Sequence, residues 1–421
     1  MELIDELKDC RARTLDLALD LDDAQWLGPR LDIVNPLRWE LGHLAWFQEY
    51  WTLRHARGAS PIRSDGDALY NSARVAHGTR WDLALPDRQA TLAYLAEVLD
   101  RCCAAARDLR DPYFHRLALF HEDMHGEALT YTRQTLAYPA PTFVRAALGA
   151  RPVGGGALPG DVEVQGRRYQ LGATESEAFA FDNEKWAHPV DVPTFRIARA
   201  AVTNEEFLGF VQARGYARRE LWTEAGWSWR TRNDARHPVY WCPLGDGGFD
   251  VRRYDGREPL PPHQPIIHVS WFEAEAYCRW AKRRLPTEAE WELAASTDEK
   301  RRFPWGDASP TKANANLDGR HGGPVDVGAF AEGDSAFGCR QMIGNVWEWT
   351  ATDFGPYPGF VVDPYREYSE PWFATPHKVL RGGCWATRAR LLRNTWRNFY
   401  PPDRRDVFAG FRTCAPIAAI R

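Results

Sequence analysis

The sequence predicts an α+β chain of two domains, a helical bundle over residues 1–150 and a loop-rich domain over 160–421. Three observations carry this expectation. Apolar residues recur at helical spacing through the first part and then give way to short β-like runs. Between the two lies ARPVGGGALPGD (150–161), a Gly/Pro-rich linker that puts the boundary near 150–160. At 421 residues the chain is also longer than one hydrophobic core usually serves.

Four helices account for the first domain. LIDELKDCRARTLDLALDL (3–21) is amphipathic. NPLRWELGHLAWFQEYWTLRHA (35–56) offers Asn35 as N-cap and Pro36 for the first turn. DRQATLAYLAEVLDRCCAAARDL (87–109) is the third, and DPYFHRLALFHEDMHGEALTYTRQTLAY (111–138) is the fourth, again opening on Asp-Pro. With one long connection over 58–87, they predict a four-helix bundle. The second domain alternates strand-like runs (RYQLG, FRIAR, PIIHVSW, KVLRGG, FAGFRT) with Gly/Pro/Trp-rich loops. Two helices are predicted there, TNEEFLGFVQARG and WFEAEAYCRWAKRR. No internal repeat and no low-complexity tract is present.

Composition excludes several functions. A formal charge of −4 offers no basic balance for nucleic acid or an anionic membrane. No apolar run approaches the roughly 20 residues of a spanning helix. The acidic, amphipathic N-terminus is unlike a signal peptide. Eight scattered cysteines, without a C-x-x-C, suit free thiols in a reducing cytoplasm. Small-molecule partners and a monomeric chain are expected. The 19 tryptophans suit a domain packed around indoles, or pockets for a cation.

FHEDMHGEALTY (120–131) contains H-E-x-x-H, the signature of a zinc-peptidase helix. Residues four apart share a helix face, so His121 and His125 can bind one ion. A peptidase takes its third ligand downstream, but no histidine follows His125 at the required spacing. Glu127, two residues on, lies off that face. Upstream, WELGHLAWFQEYW puts His43 mid-helix among apolar neighbours, either as a core histidine or as the third ligand in the bundle interior. His55, His77 and His115 fall near helix ends or in the loop. With three histidines and no carboxylate, zinc, iron and copper all remain open on ligand type.

The second domain carries NEEF, HPVYWCP, PIIHVSWFEAEAYCRWAKRRLPTEAEWE, FPWGD, GNVWEWT, VLRGGCW and FAGFR in that order. Together these resemble the formylglycine-generating-enzyme-like domain, a C-type-lectin variant, over about 165–415. WELGHLAWFQEYW and HEDMHGEAL resemble a DinB-like bundle. The fusion resembles the ergothioneine sulfoxide synthases and the selenoneine synthases. That resemblance implies Fe(II) on His43, His121 and His125, dioxygen, hercynine as acceptor, and a new C–S or C–Se bond on its imidazole. The late cysteine pair of formylglycine-generating enzymes is absent from LLRNTWRNFYPPDRRDVF, and Cys384 reads as a replaced serine, so sulfatase activation is not expected.

The resemblance also implies site residues. Arg397-Asn398-Phe399 matches the Arg-Asn-aromatic of the sulfoxide synthases and is expected to bind hercynine, with aromatic surface for its trimethylammonium group. A tyrosine is needed to move a proton near the metal, and Tyr357 and Tyr400 are the candidates taken forward from a set that includes Tyr365 and Tyr368. Met124 replaces a glutamine common before the last histidine, Tyr400 stands where γ-glutamylcysteine users have an aspartate, and YNSARV replaces paired tyrosines. These departures favour a selenosugar donor, with Arg80 on the donor side; cysteine or γ-glutamylcysteine is the alternative. A lectin-like binding protein without catalysis is a third reading. Trp347 and Trp349 are expected in the core, and a structural calcium is expected to involve Asn345.

Overall fold

The computed structural model describes residues 2–147, 155–245 and 247–416. Positions 148–154 of the boundary region, including the first part of the expected linker, lie outside the described residues. The chain divides into two compact units, Met1–Phe143 and Val144–Arg421. Among the described residues, no helix is long and apolar enough to cross a membrane.

The first unit contains the four expected helices, α1 (Leu3–Asp16), α3 (Leu37–Glu49), α5 (Arg88–Ala105) and α6 (Tyr113–Thr135). The short α2 (Asp23–Leu27) and α4 (Gly66–Tyr70) lie in the connections, and α7 (Thr142–Ala147) crosses the division between the units. A π-helical turn, Tyr50–His55, prolongs α3. Helix α3 packs on α5, α6 and α4, while α1 packs on α5 and α6. Of the α3 residues only Arg38 is not buried, so the helix has no polar face.

Asn35 is not the N-cap that its sequence position suggests. Pro36 takes the cap position of α3, no side chain caps the helix, and the Asn35 amide is engaged elsewhere. Helix α5 starts on a side-chain cap, with Asp87 accepting the Ala90 N–H at 2.8 Å.

In the second unit, β1 (Asp161–Val164) pairs antiparallel with β4 (Phe195–Ala198), and β2 (Arg167–Leu171) with β3 (His188–Val192). A three-stranded meander follows: β5 (Trp241–Pro243), β6 (Phe249–Arg253) and β7 (Gly256–Pro259). The largest sheet has the order β10–β9–β8–β11, from β8 (Trp347–Asp353), β9 (Lys378–Arg381), β10 (Asn398–Tyr400) and β11 (Ala409–Gly410). The expected strand in PIIHVSW forms only an isolated bridge from Pro265 to Thr203. Among the described residues beyond α7, four helices stand where two were expected: α8 (Asn204–Gln212), α9 (Glu224–Arg232), α10 (Trp271–Trp280) and α11 (Glu288–Ser296). Every residue of α11 is buried, which removes the amphipathic period that would have announced it. Trp347 and Trp349 are core residues, as expected.

Asn345, where a structural calcium was expected, is buried and hydrogen-bonded within the fold. Its carboxamide oxygen accepts from Asn316 Nδ2 and from the Val325 N–H, each at 2.9 Å, and its Nδ2 donates to Val325 O at 3.0 Å. That oxygen faces donors and is not turned to a cation.

One close approach ties the long connection to α3. A Cβ on Gly42 would lie 2.2 Å from the ring of Tyr70, a fully buried side chain with no room to withdraw. Gly42→Ala should therefore destabilise the protein by about 1–3 kcal/mol in urea unfolding, against no more than about 0.5 kcal/mol for Gly78→Ala, where a Cβ meets nothing within 4 Å.

Candidate metal centre

His43 projects from α3, and His121 and His125 from successive turns of α6. One ring nitrogen from each lies within 4.8 Å of the others. The imidazole centroids are 5.1 Å (His43–His121), 5.3 Å (His43–His125) and 4.4 Å (His121–His125) apart. Bonds of about 2.0–2.1 Å to a shared ion would hold such atoms about 3–4 Å apart, so the three nitrogens fit an ion with a small inward movement.

Each ring is held from behind. His43 Nδ1 lies 2.8 Å from the Tyr70 carbonyl oxygen, and its ring stacks on Trp39 at 4.9 Å with 8° between planes. A carbonyl only accepts, so Nδ1 carries the proton and Nε2 keeps its lone pair. His125 Nδ1 donates to Glu40 Oε1 at 2.5 Å. Burial alone would raise the Glu40 pKa, but the charge and hydrogen bond of His125 bring it down to about 2, so this carboxylate also only accepts. His121 stacks face to face on Phe47, with 3.5 Å between centroids. Burial, then the charge of His125, lowers the His43 pKa to about 3 and drives that of His121 well below its usual range. Neutral imidazoles with fixed tautomers are the form a metal requires.

Glu122 takes no part. It is 2 % exposed and receives Arg11 Nε at 2.7 Å, Arg11 Nη2 at 3.1 Å and the Thr14 hydroxyl at 2.9 Å, all from α1. It has no access to a water on the histidine face, and the peptidase reading ends with it. His55 is exposed at the end of the π-helical turn, His77 bonds to the Val34 carbonyl at 2.7 Å, and buried His115 bonds to the Cys102 backbone. None of them joins the cluster, which among the described residues is the one group of three potential ligands.

The other predicted residues divide by burial. Met124 is half-buried on α6 between the two histidines. Arg80 is 9 % exposed, donates to Asn35 Oδ1 at 2.5 Å and to Val75 O at 3.3 Å, and lies 3.7 Å over the Trp39 ring. In the second unit Arg397 is 1 % exposed. It holds Glu288 through Nε (2.9 Å) and Nη2 (3.1 Å), and the carbonyls of Asn183 and Gly355 through Nη1 (2.8 and 3.1 Å). Tyr357 lies under it at 4.1 Å and donates to Glu288 at 3.3 Å. Burial pushes the Tyr357 hydroxyl well above the usual phenol range. In this structure both residues are interior supports for β10, not surfaces open to a ligand.

Asn398, Phe399 and Tyr400 are half-buried on β10. Strand alternation sends Phe399 to the face opposite Asn398 and Tyr400, so the three do not share one wall. Phe399 stacks on Phe354 at 3.9 Å, with Tyr368 and His377 at its edge. The residues missed from sequence are Glu40, Asn35, Tyr70 and Trp39. Glu40 had a signal, since it lies one helical turn before His43 on the same face.

Residues 146–417 match the sulfatase-modifying factor enzyme 1-like domain, and residues 6–137 match the DinB superfamily. The chain is 38 % identical over 423 residues to the hercynine oxygenase of Mycobacterium tuberculosis, covering 98 % of each. It is 31 % identical over 302 residues to the formylglycine-generating enzyme of Thermomonospora curvata, covering 61 % of this chain and 93 % of that protein. Among solved structures, PvdO from Pseudomonas aeruginosa aligns with a TM-score of 0.44 at 24 % identity, over 60 % of this chain and 93 % of that one.

The buried histidines make a pH prediction. With a folded pKa of about 3 against 6.5 for an ordinary histidine, His43 stays neutral where the unfolded chain takes up a proton. The unfolded state then binds more protons, so stability falls as pH drops from about 6.5 toward 3. Urea titrations of the metal-free protein at stepped pH should show that decline, and His43→Leu should flatten it without abolishing it, because His121 shifts in the same direction.

Proposed function

The chain belongs to the hercynine oxygenase family, and from that premise we propose that it is an O2-dependent, non-haem iron(II) enzyme that forms a carbon–chalcogen bond on the imidazole of hercynine. The observation that carries this reading is the buried three-histidine cluster, set in a chain alignable end to end with that family. Iron(II) held by His43, His121 and His125 would supply the activation of dioxygen, with coordination positions left open by three protein ligands. The chain's own residues have the remaining tasks. The Tyr70 carbonyl and Glu40 fix the Nδ1 protons of His43 and His125 and so present Nε2.

Asn398 contacts the acceptor through its amide, while Phe399, on the other face of β10, supports the strand through its stack on Phe354. Tyr400, half-buried where Tyr357 is buried, is the tyrosine assigned to proton handling. Arg397 contributes by holding β10 in register.

For the donor we propose a selenosugar. Tyr400 replaces an acid that would meet the amine of γ-glutamylcysteine, and Arg80 is committed to Asn35 and Trp39. A neutral sugar needs amide, hydroxyl and aromatic contacts more than a fixed arginine fork. The second reading is a sulfoxide synthase using cysteine or γ-glutamylcysteine, favoured by the full-length likeness to the mycobacterial hercynine oxygenase. A cytoplasmic enzyme is in keeping with eight free cysteines.

Iron-loaded protein incubated aerobically with hercynine and each donor should yield a mass shifted by the chalcogen adduct, with kcat/KM for the selenosugar above that for either thiol. A thiol preference of tenfold or more, about 1.4 kcal/mol, would move the assignment to sulfur. Asn398→Ala should weaken hercynine binding by about 1–3 kcal/mol in calorimetry if its amide is a buried partner in the complex. Unchanged affinity in a folded variant would place the acceptor elsewhere.

A further inference from the structure

We infer that Arg80, Asn35 and Glu40 form a brace that orients two of the three histidines, which makes Arg80 a positioning residue of the metal site instead of a donor contact. The inference rests on the proposed metal at His43, His121 and His125.

The brace has two arms. In the first, Arg80 Nη1 donates to Asn35 Oδ1 at 2.5 Å. That contact settles the orientation of the amide, because the oxygen faces a group that only donates. The Asn35 NH2 is then the group turned toward Glu40, and its presence helps hold that carboxylate in the ionised form. Glu40 in turn accepts from His125 Nδ1. Guanidinium, amide, carboxylate and imidazole follow one another as alternating donors and acceptors, with hydrogen bonds at both ends of the series. In the second arm the Arg80 guanidinium lies 3.7 Å over Trp39, whose ring is parallel to that of His43. One planar cation thus bears on both α3-dependent ligand positions.

The elements explain why a brace is needed. His125 is on α6, Glu40 on α3, and Arg80 follows the 3-10 turn His77–Thr79 in the long connection. Asn35 precedes α3, where the sequence offered a cap. A buried carboxylate is costly unless its surroundings favour the charge, and the nearby Asn35 amide acts in that sense beside His125. Carboxylate–histidine pairs behind a metal ligand set its tautomer and raise its basicity, and losing one typically costs about 10–100-fold in metal affinity. Arg80 has the shape for the role: a lysine could neither stack flat on Trp39 nor direct a fixed N–H at Asn35.

The test uses the full-length, metal-free protein titrated with Co(II), following heat by calorimetry and the ligand-field absorption bands. Wild type should bind one equivalent, and His121→Ala should lose it. Glu40→Ala should bind about 10–100-fold more weakly, with displaced bands. Glu40→Gln, which keeps an accepting oxygen, should fall between. Arg80→Gln and Asn35→Ala should each weaken binding several-fold and displace the bands in the same sense. Arg80→Lys should not restore the wild-type spectrum. Combining Arg80→Gln with Glu40→Gln should cost less than the product of the single effects, as members of one chain do.

Circular dichroism separates misfolding from loss of the brace, and the near-isosteric Glu40→Gln decides the matter if Glu40→Ala does not fold. Wild-type affinity and an unchanged spectrum in folded Arg80→Gln and Glu40→Gln would overturn the brace and leave the metal site standing. A raised donor KM for Arg80→Gln with unaltered Co(II) binding would return Arg80 to the donor. Failure of the wild type to bind Co(II) at all would remove the metal reading itself, and the brace with it.

Discussion

Helix α3 has almost no solvent face, so its acidic residues, His43 and the Gln48 oxygen are satisfied from inside the bundle. Glu40 takes His125 of α6. His43 takes the Tyr70 carbonyl at the end of α4. Gln48 accepts from Arg11 of α1 at 2.9 Å. Glu49 accepts from Tyr94 of α5 at 2.6 Å and from the Ile62 N–H of the long connection at 3.0 Å. An unsatisfied buried group costs about 1–3 kcal/mol, so these four residues penalise any other register of the surrounding helices. The histidine cluster is placed as a consequence: the bonds that satisfy α3 also set where the His43 and His125 imidazoles point.

The second unit meets the same demand with ion pairs. Arg412 with Glu348, Arg397 with Glu288, Arg381 with Glu292 and Arg393 with Glu184 are all buried, and each joins residues more than 60 positions apart. Such pairs add little net stability, because desolvation offsets most of the attraction, but breaking one leaves a bare charge inside. In a unit of short strands and long loops they define which loop lies against which. β10 shows the effect, with Arg397 immediately before it bound to α11 and to two loop carbonyls, while Asn398 and Tyr400 reach partial exposure on the next turn of the pleat.

What was legible in the sequence follows from the same physics. His121 and His125 announce themselves by helical spacing, and His43 by being a polar group in an apolar helix. The four long helices are legible because three of them keep a polar side. α11 was not, because burial on every side erases its period, and PIIHVSW looks like a strand although loops satisfy most of its backbone. Asn35 carries a true cap signal, Asn-Pro before a helix, that the fold overrides by giving its amide oxygen to Arg80. The burial of Tyr357 and Arg397 could not be read locally, since their partner Glu288 is about 70 and 110 residues away and long-range pairing leaves no periodic trace.

Arg80 shows how this bears on substrate choice. By sequence position it is expected on the donor side of the site. In the structure its charge is partly buried, its planar face lies on Trp39 and its Nη1 is on Asn35. Burial lowers its pKa, and the nearby Glu40 charge opposes that shift. To serve a carboxylate of the donor, the guanidinium would have to leave the indole and release the amide that supports Glu40. Recognition would then loosen one histidine of the proposed metal site. A donor that makes no demand on Arg80 leaves the brace intact, so a neutral donor and a fixed three-histidine site are compatible in a way that an anionic donor bound at this arginine is not.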